Sequence, residues 1–222
     1  MIIADDGPAG SGKGTVTKKI EEELGFLNLD TGATYRCVAL QTLRNGLDLK
    51  NEKEIIEIAN NIDIKIDNTG ENDIILLNNE DVTKEIRTKE VTSIVSQISS
   101  IIPVREKMVE IQRQLASGKD VIVEGRDIGT VVFPNADLKI YLDASEEIRA
   151  KRRYEQNMQN GMNITYEEVL ENVKMRDYND MNKPFGALKK AEGATIIDST
   201  NLTIEEVVQK IKNLIKEKQG VL

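Results

Sequence analysis

Apolar residues along this chain fall into two rhythms. Short, nearly continuous runs recur at long intervals: Ile2-Ile3-Ala4, Phe26 to Leu29, Val121-Ile122-Val123, Leu138 to Leu142 and Ala194 to Ile197. Such runs suit strands buried on both faces. Between them the spacing is helical. Val16, Ile20 and Leu24 share a face, as do Val104, Met108, Ile111 and Leu115; Ile204, Val207, Val208, Ile211, Leu214 and Ile215 form a full stripe. Thr203 with Glu206, and Thr165 with Glu168, have the spacing of capping boxes at helix starts. Strands of this kind alternating with helices predict an α/β chain, a five-stranded parallel sheet with helices on both faces.

Two stretches break the pattern. From Ile62 to about Thr88 the chain alternates with period two, passes an Asn/Gly-rich turn and resumes as an extended run, which predicts a small antiparallel β insert. From Arg149 to about Asn163 it is basic and then polar, with Gly161 near the end, more like a mobile cover than a core element. The expected organisation is a core of residues 1–61 and 89–222, an insert at 62–88 and a lid at 149–164 within the core.

Composition narrows the chemistry. At 222 residues the chain is long enough for one domain with small insertions. Thirty Lys and Arg against 38 Asp and Glu leave a net charge of −8, which argues against general affinity for nucleic acid or an anionic membrane. Any anion must be held by local chemistry. There is no long apolar stretch, and Met1 leads into a short apolar run without a basic region, so neither a membrane span nor a signal peptide is expected. One cysteine, Cys37, cannot form an internal disulfide and reads as a small buried residue; with no His at all, a zinc site is not expected. A cytoplasmic monomer is the expectation.

The run G-P-A-G-S-G-K-G-T, Gly7 to Thr15, follows the first strand and precedes the helix of Val16 and Ile20. That is the context a P-loop requires, and it points to the P-loop NTPase fold. Backbone amides can turn inward around phosphate oxygens, the helix N-terminus adds partial positive charge, and Lys13 reaches the transferable phosphate. Gly7, Pro8, Ala9, Gly10, Ser11, Gly12, Lys13, Gly14 and Thr15 are the expected ATP-binding residues. Position 14 is Gly where Ser or Thr is usual, so direct magnesium ligation is lost there and Thr15 is the nearest hydroxyl. No G-x-G-x-x-G can be laid over this run. D-N-T-G at Asp67 to Gly70 matches a GTPase switch, yet it sits in the turn of the insert and no N-K-x-D follows.

Two further signals follow predicted strands. L-D-T-G-A-T-Y-R, Leu29 to Arg36, places Thr31 and Arg36 at the carboxyl end of the second strand, where ligands of parallel sheets bind. V-E-G-R-D-I-G-T-V-V-F-P, Val123 to Pro134, does the same for Arg126 and Asp127. A buried Arg-Asp pair can also be purely structural.

Together with S-Q at Ser96-Gln97, V-R-E at Val104 to Glu106, R-D-Y-N-D at Arg176 to Asp180 and I-I-D-S-T at Ile196 to Thr200, these motifs resemble the bacterial cytidylate kinases. The likeness runs from the first strand to the last, and the E-G-R-D-I-G-T run and the inserted sheet are its most discriminating parts. It implies a nucleoside-monophosphate kinase moving the γ-phosphoryl group of ATP to CMP or dCMP with magnesium, the insert serving the monophosphate. Carried over by position, Thr31, Arg36 and Arg126 hold the acceptor phosphate; Ser96, Arg105 and Asp127 face cytosine; Arg176 and Asp180 reach phosphate and ribose. Lys183 stands where the family usually has arginine, keeping the charge but not the bidentate fork. Asp5 stands where related chains carry an apolar strand residue, which is costly unless it faces a solvated edge.

Cytosine offers an amine donor beside acceptors, which a carboxylate and an arginine match. Uracil would set Asp127 against a carbonyl, at a cost on the order of several kcal/mol in a closed site. Arg149, Arg152 and Arg153 share one helix face, and in nucleotide kinases a lid bearing such arginines closes over ATP. The acceptor is already an ionised phosphate oxygen, so no general base is needed and a chain without His can do the work. Lys13, Arg126, Arg152 and Arg153 are the expected catalytic residues. A related kinase for UMP or AMP, or a non-catalytic nucleotide-binding regulatory module, are the alternatives.

Overall fold

A computed structural model describes residues 1–67, 73–159 and 161–220. The D-N-T-G match and the turn of the insert fall largely on residues 68–72, outside the described residues, as does residue 160 of the expected lid. The chain divides into two compact units, residues 1–28 with 119–222, and residues 29–118.

The first unit is built on a five-stranded parallel sheet. Its strands are β1 (Ile2–Asp6), β2 (Leu27–Asp30), β6 (Val121–Gly125), β7 (Leu138–Asp143) and β8 (Thr195–Asp198), in the order β2-β6-β1-β7-β8. Each of the five apolar runs became a strand. β1 lies between β6 and β7, with Asp5 opposite Glu124 on one side and Ile140 on the other. Ile3, Ile122, Ile140 and Leu142 pack with Val16 and Ile20 of α1 (Lys13–Leu24) and Val207, Val208 and Ile211 of α8 (Ile204–Gln219). Fully buried side chains of this size contribute about 1.5–3 kcal/mol each.

Thr165 and Glu168 close a capping box on α7 (Tyr166–Met181), and Thr203 and Glu206 another on α8, as their spacing predicts. Leu24 departs from its stripe: it is the last residue of α1 before Gly25 turns the chain in the left-handed region, and it stays exposed. α6 (Glu146–Gln159) packs against α7 around Ala150, Val169 and Val173.

The second unit carries α2 (Thr31–Arg44), α3 (Glu52–Asn61), α4 (Lys89–Ile98) and α5 (Ile102–Ala116), with a three-stranded antiparallel sheet, β3 (Ile64–Asp67), β4 (Ile74–Leu77) and β5 (Glu80–Asp81). Period-two alternation puts Ile64, Ile75 and Leu77 into a core shared with Val38, Ile55, Ile86, Val91, Ile98 and Met108.

Candidate active site

The glycine loop joins β1 to α1. A side chain at Gly7 would place its Cβ 2.1 Å from the Leu142 carbonyl oxygen, so only glycine fits between β1 and β7. Gly12 caps α1 at φ 104°, a left-handed conformation, and no side chain caps the helix. The first-turn amides of α1 therefore have no side-chain cap, an arrangement that suits an anion. Lys13 is buried, and its Nζ donates to the carbonyls of Gly7 and Pro8 (2.8 Å each) and to Ser11 Oγ (3.3 Å). Burial pushes the Lys13 ammonium down to about 7; the neighbouring Arg126 guanidinium adds to this, while Asp5, Glu124 and Asp6 oppose it.

Arg126 follows β6, and its Nε donates to Asp180 Oδ2 at 2.9 Å, while Lys183 Nζ meets Asp180 Oδ1 at 3.0 Å. Burial alone would raise the Asp180 carboxyl, yet Arg126, Lys183 and Arg176 hold it below the usual range. Three cations thus gather about one carboxylate, the charge balance a phosphate dianion would complete. Asp127, beside Arg126, is buried.

Asp6 was not singled out from the sequence. It accepts the amides of Ile128 and Gly129 at 2.7 Å each and so ties the E-G-R-D-I-G-T loop to β1. Burial raises it to about 6 against those two amides. An Asp at a strand end just before a glycine loop is the signal that could have marked it.

The three arginines of α6 separate. Arg152, half-buried, donates to the Ser11 carbonyl (3.2 Å) and to Ser199 Oγ and O (3.1 and 2.8 Å), and Ser199 Oγ donates to the same Ser11 carbonyl at 3.0 Å. It already touches the loop. Arg153 is half-buried on the same helix. Arg149, expected on a mobile cover, is instead buried: it donates to the carbonyls of Ala144 (2.9 Å) and Ala9 (3.1 Å) and pairs with both oxygens of Asp177 on α7. It is a strut between α6, α7 and the glycine loop.

In the second unit, Thr31 opens α2 and is buried; its carbonyl accepts Thr34 Oγ1 at 2.8 Å, and Gln112 of α5 donates to that hydroxyl at 2.8 Å. Arg36 is half-buried and donates to Thr92 Oγ1 at 2.9 Å, joining α2 to α4. Arg105 is buried, donates to the Ser99 carbonyl at 3.2 Å, and lies 5.3 Å from the Tyr35 ring centroid, a cation–π arrangement. Ser96 is exposed on α4.

Among the described residues no group of three or more His, Cys, Asp or Glu could hold a metal ion. A single carboxylate does border the loop: Glu124 Oε1 lies 3.3 Å from where a Cβ on Gly14 would stand. One carboxylate with substrate phosphates and water is how magnesium is commonly held in kinase sites. Thr15 is exposed on the first turn of α1.

The sequence profile of the cytidylate kinase family matches residues 3–217. The chain belongs to this family. A relative named cytidylate kinase from Caldicellulosiruptor bescii is 48% identical over 212 residues, covering 96% of this chain and 94% of its own. Another from Carboxydothermus hydrogenoformans is 45% identical over 222 residues, covering all of both. Among solved structures, a shikimate kinase from Bacteroides thetaiotaomicron matches at TM-score 0.50 and 12% identity, covering 97% of this chain and 98% of its own. An uncharacterized protein from Eubacterium ventriosum matches at TM-score 0.52 and 12% identity, with the same coverage. At that identity the likeness concerns the fold alone. No helix among the described residues is long and apolar enough to cross a membrane.

Proposed function

We propose that this chain transfers the γ-phosphoryl group of ATP to CMP, and also to dCMP, giving ADP and CDP or dCDP. Beyond family membership, one observation supports the reading most. Lys13 is held in the glycine loop by the Gly7 and Pro8 carbonyls, and Arg126 is locked at the end of β6 by Asp180. Two preorganised cations beside a helix N-terminus match the charge that develops on a transferred phosphoryl group.

Residues 7–15 hold the phosphates of ATP, and Arg152, with Arg153, adds positive charge along the loop. Arg126, Arg176, Asp180 and Lys183 are assigned to the acceptor's phosphate and ribose, and Asp127 to the exocyclic amine of cytosine. On the second unit, Thr31, Arg36, Ser96 and Arg105 are assigned to the acceptor by their places in the family's motifs. Glu124 would help to hold magnesium, which would supply charge neutralisation on the ATP phosphates. The attacking oxygen of CMP is already anionic, so the residues' task is to orient it, screen repulsion between two anions and exclude water. Residues 62–88 are proposed as the monophosphate-binding insert, and within 149–164 the part that follows the Arg149 strut as the lid.

Initial rates with ATP and magnesium against CMP, dCMP, UMP and AMP test this. CMP and dCMP should turn over with kcat/KM at least about 100-fold above UMP, the scale a mispaired buried polar group imposes. Comparable rates with UMP would overturn the base assignment, and no transfer to any nucleotide would overturn the function.

A further inference from the structure

β1 carries a carboxyl group into a layer built for aliphatic side chains, and burial raises it well above the usual carboxylate range. Asp5 stands two residues from Ile3 and is paired across the sheet with Ile140 and Glu124, so its side chain lies on the same face as theirs, the one covered by α1. It is fully buried, and neither carboxylate oxygen accepts a hydrogen bond from any described residue. It does not face a solvated edge. An orphaned buried carboxylate ordinarily costs more than a leucine would at the same place.

The neighbouring cation is Lys13, whose ammonium has three donors, all directed at Gly7 O, Pro8 O and Ser11 Oγ. The loop therefore holds its own lysine. Phosphate oxygens entering that loop compete for the same donors, and a lysine that turns toward them leaves the loop carbonyls behind.

We propose that Asp5 is a positioning residue for Lys13: as phosphates enter the loop, the ammonium releases the Gly7 and Pro8 carbonyls and passes one donor to Asp5 while the others reach the phosphates. One rearrangement gives the orphaned carboxylate its donor and fixes the lysine from behind. The proposal rests on the reading that this loop binds ATP. Asp5 acts through Lys13 and does not touch the nucleotide.

The test compares wild type with Asp5→Leu, which suits the layer of Ile3, Ile122 and Ile140 but has no acceptor, and with Asp5→Asn, which keeps one acceptor oxygen. Melting temperatures are measured alone and with ATP in EDTA, and kcat and KM are measured with ATP, magnesium and CMP. Asp5→Leu is expected to melt higher than wild type alone, to gain less from ATP, and to lose about 100-fold in kcat, the scale of a reacting group displaced by an ångström. KM for CMP stays unchanged, and Asp5→Asn recovers most of the loss. Should the leucine variant not fold, Asp5→Ala replaces it with the same expected loss. Wild-type kcat and an undiminished ATP effect in the leucine or alanine variant would overturn the proposal, as would equal losses in the asparagine and leucine variants. Absence of transfer by wild type would instead count against the function, while the ATP effect on melting still decides the role of Asp5.

Discussion

Removing Arg149 should unfold the glycine loop's support before it touches chemistry. Arg149 is 3% exposed, and its guanidinium engages Asp177, itself 5% exposed, with Nη1 to Oδ1 at 3.1 Å. Arg149→Met deletes that pair and the bonds to Ala9 and Ala144 carbonyls, leaving Asp177 buried without its cation. Breaking a buried pair from one side costs about 3–5 kcal/mol. For a chain of this length each kcal/mol shifts melting by about 2–4 °C, so the variant should melt about 6–20 °C below wild type. The double variant Arg149→Met with Asp177→Leu removes both charges and should recover most of that loss, because apolar replacement of a whole buried pair is often neutral. Thermal unfolding followed by circular dichroism for the two single variants and the double gives the coupling directly. At low temperature, where the variants stay folded, KM for ATP should rise through the slackened Ala9 contact. If Arg149→Met instead melts like wild type and loses kcat, Arg149 is a mobile lid residue touching the transferred group, and the strut is wrong.

Lys13→Met should retain the fold and lower phosphoryl transfer by at least about 100-fold, checked by circular dichroism and initial rates. Asp127→Ala should reduce kcat/KM for CMP by about 100-fold while ATP binding, measured by calorimetry, changes little. Burial, with Asp30 adding, pushes the Cys37 thiol up to about 12, so a thiol reagent at pH 8 should react only as fast as the chain unfolds. The unfolded thiol ionises near 9.0 and the folded one near about 12, so this group's contribution to stability should fall as pH rises through that window in urea titrations.

Much of the architecture was readable because buried parallel strands and amphipathic helices announce themselves locally. The apolar runs, the capping boxes at Thr165 and Thr203, the alternating insert and the glycine loop all express rules that span a few residues. What escaped depends on register and on partners far along the chain. The i, i+3, i+4 spacing of Arg149, Arg152 and Arg153 defines a helix face but not what covers it; Asp177, which buries Arg149, lies on α7. Glu124 drew no notice because only the pairing of β1 with β6 and the bare Gly14 bring it beside the loop and Asp5. Asp6 likewise gains its meaning from amides more than a hundred residues away. Leu24 kept helical spacing and still faces water, because the helix ends there.

The most direct test of the account follows the γ-phosphoryl group itself. With ATP labelled at the γ-position, magnesium and CMP, the label should appear in the β-phosphate of CDP, one equivalent for each ADP formed, with little released to water. Label that emerges as inorganic phosphate whether or not CMP is present, or that stays on ATP, would contradict it.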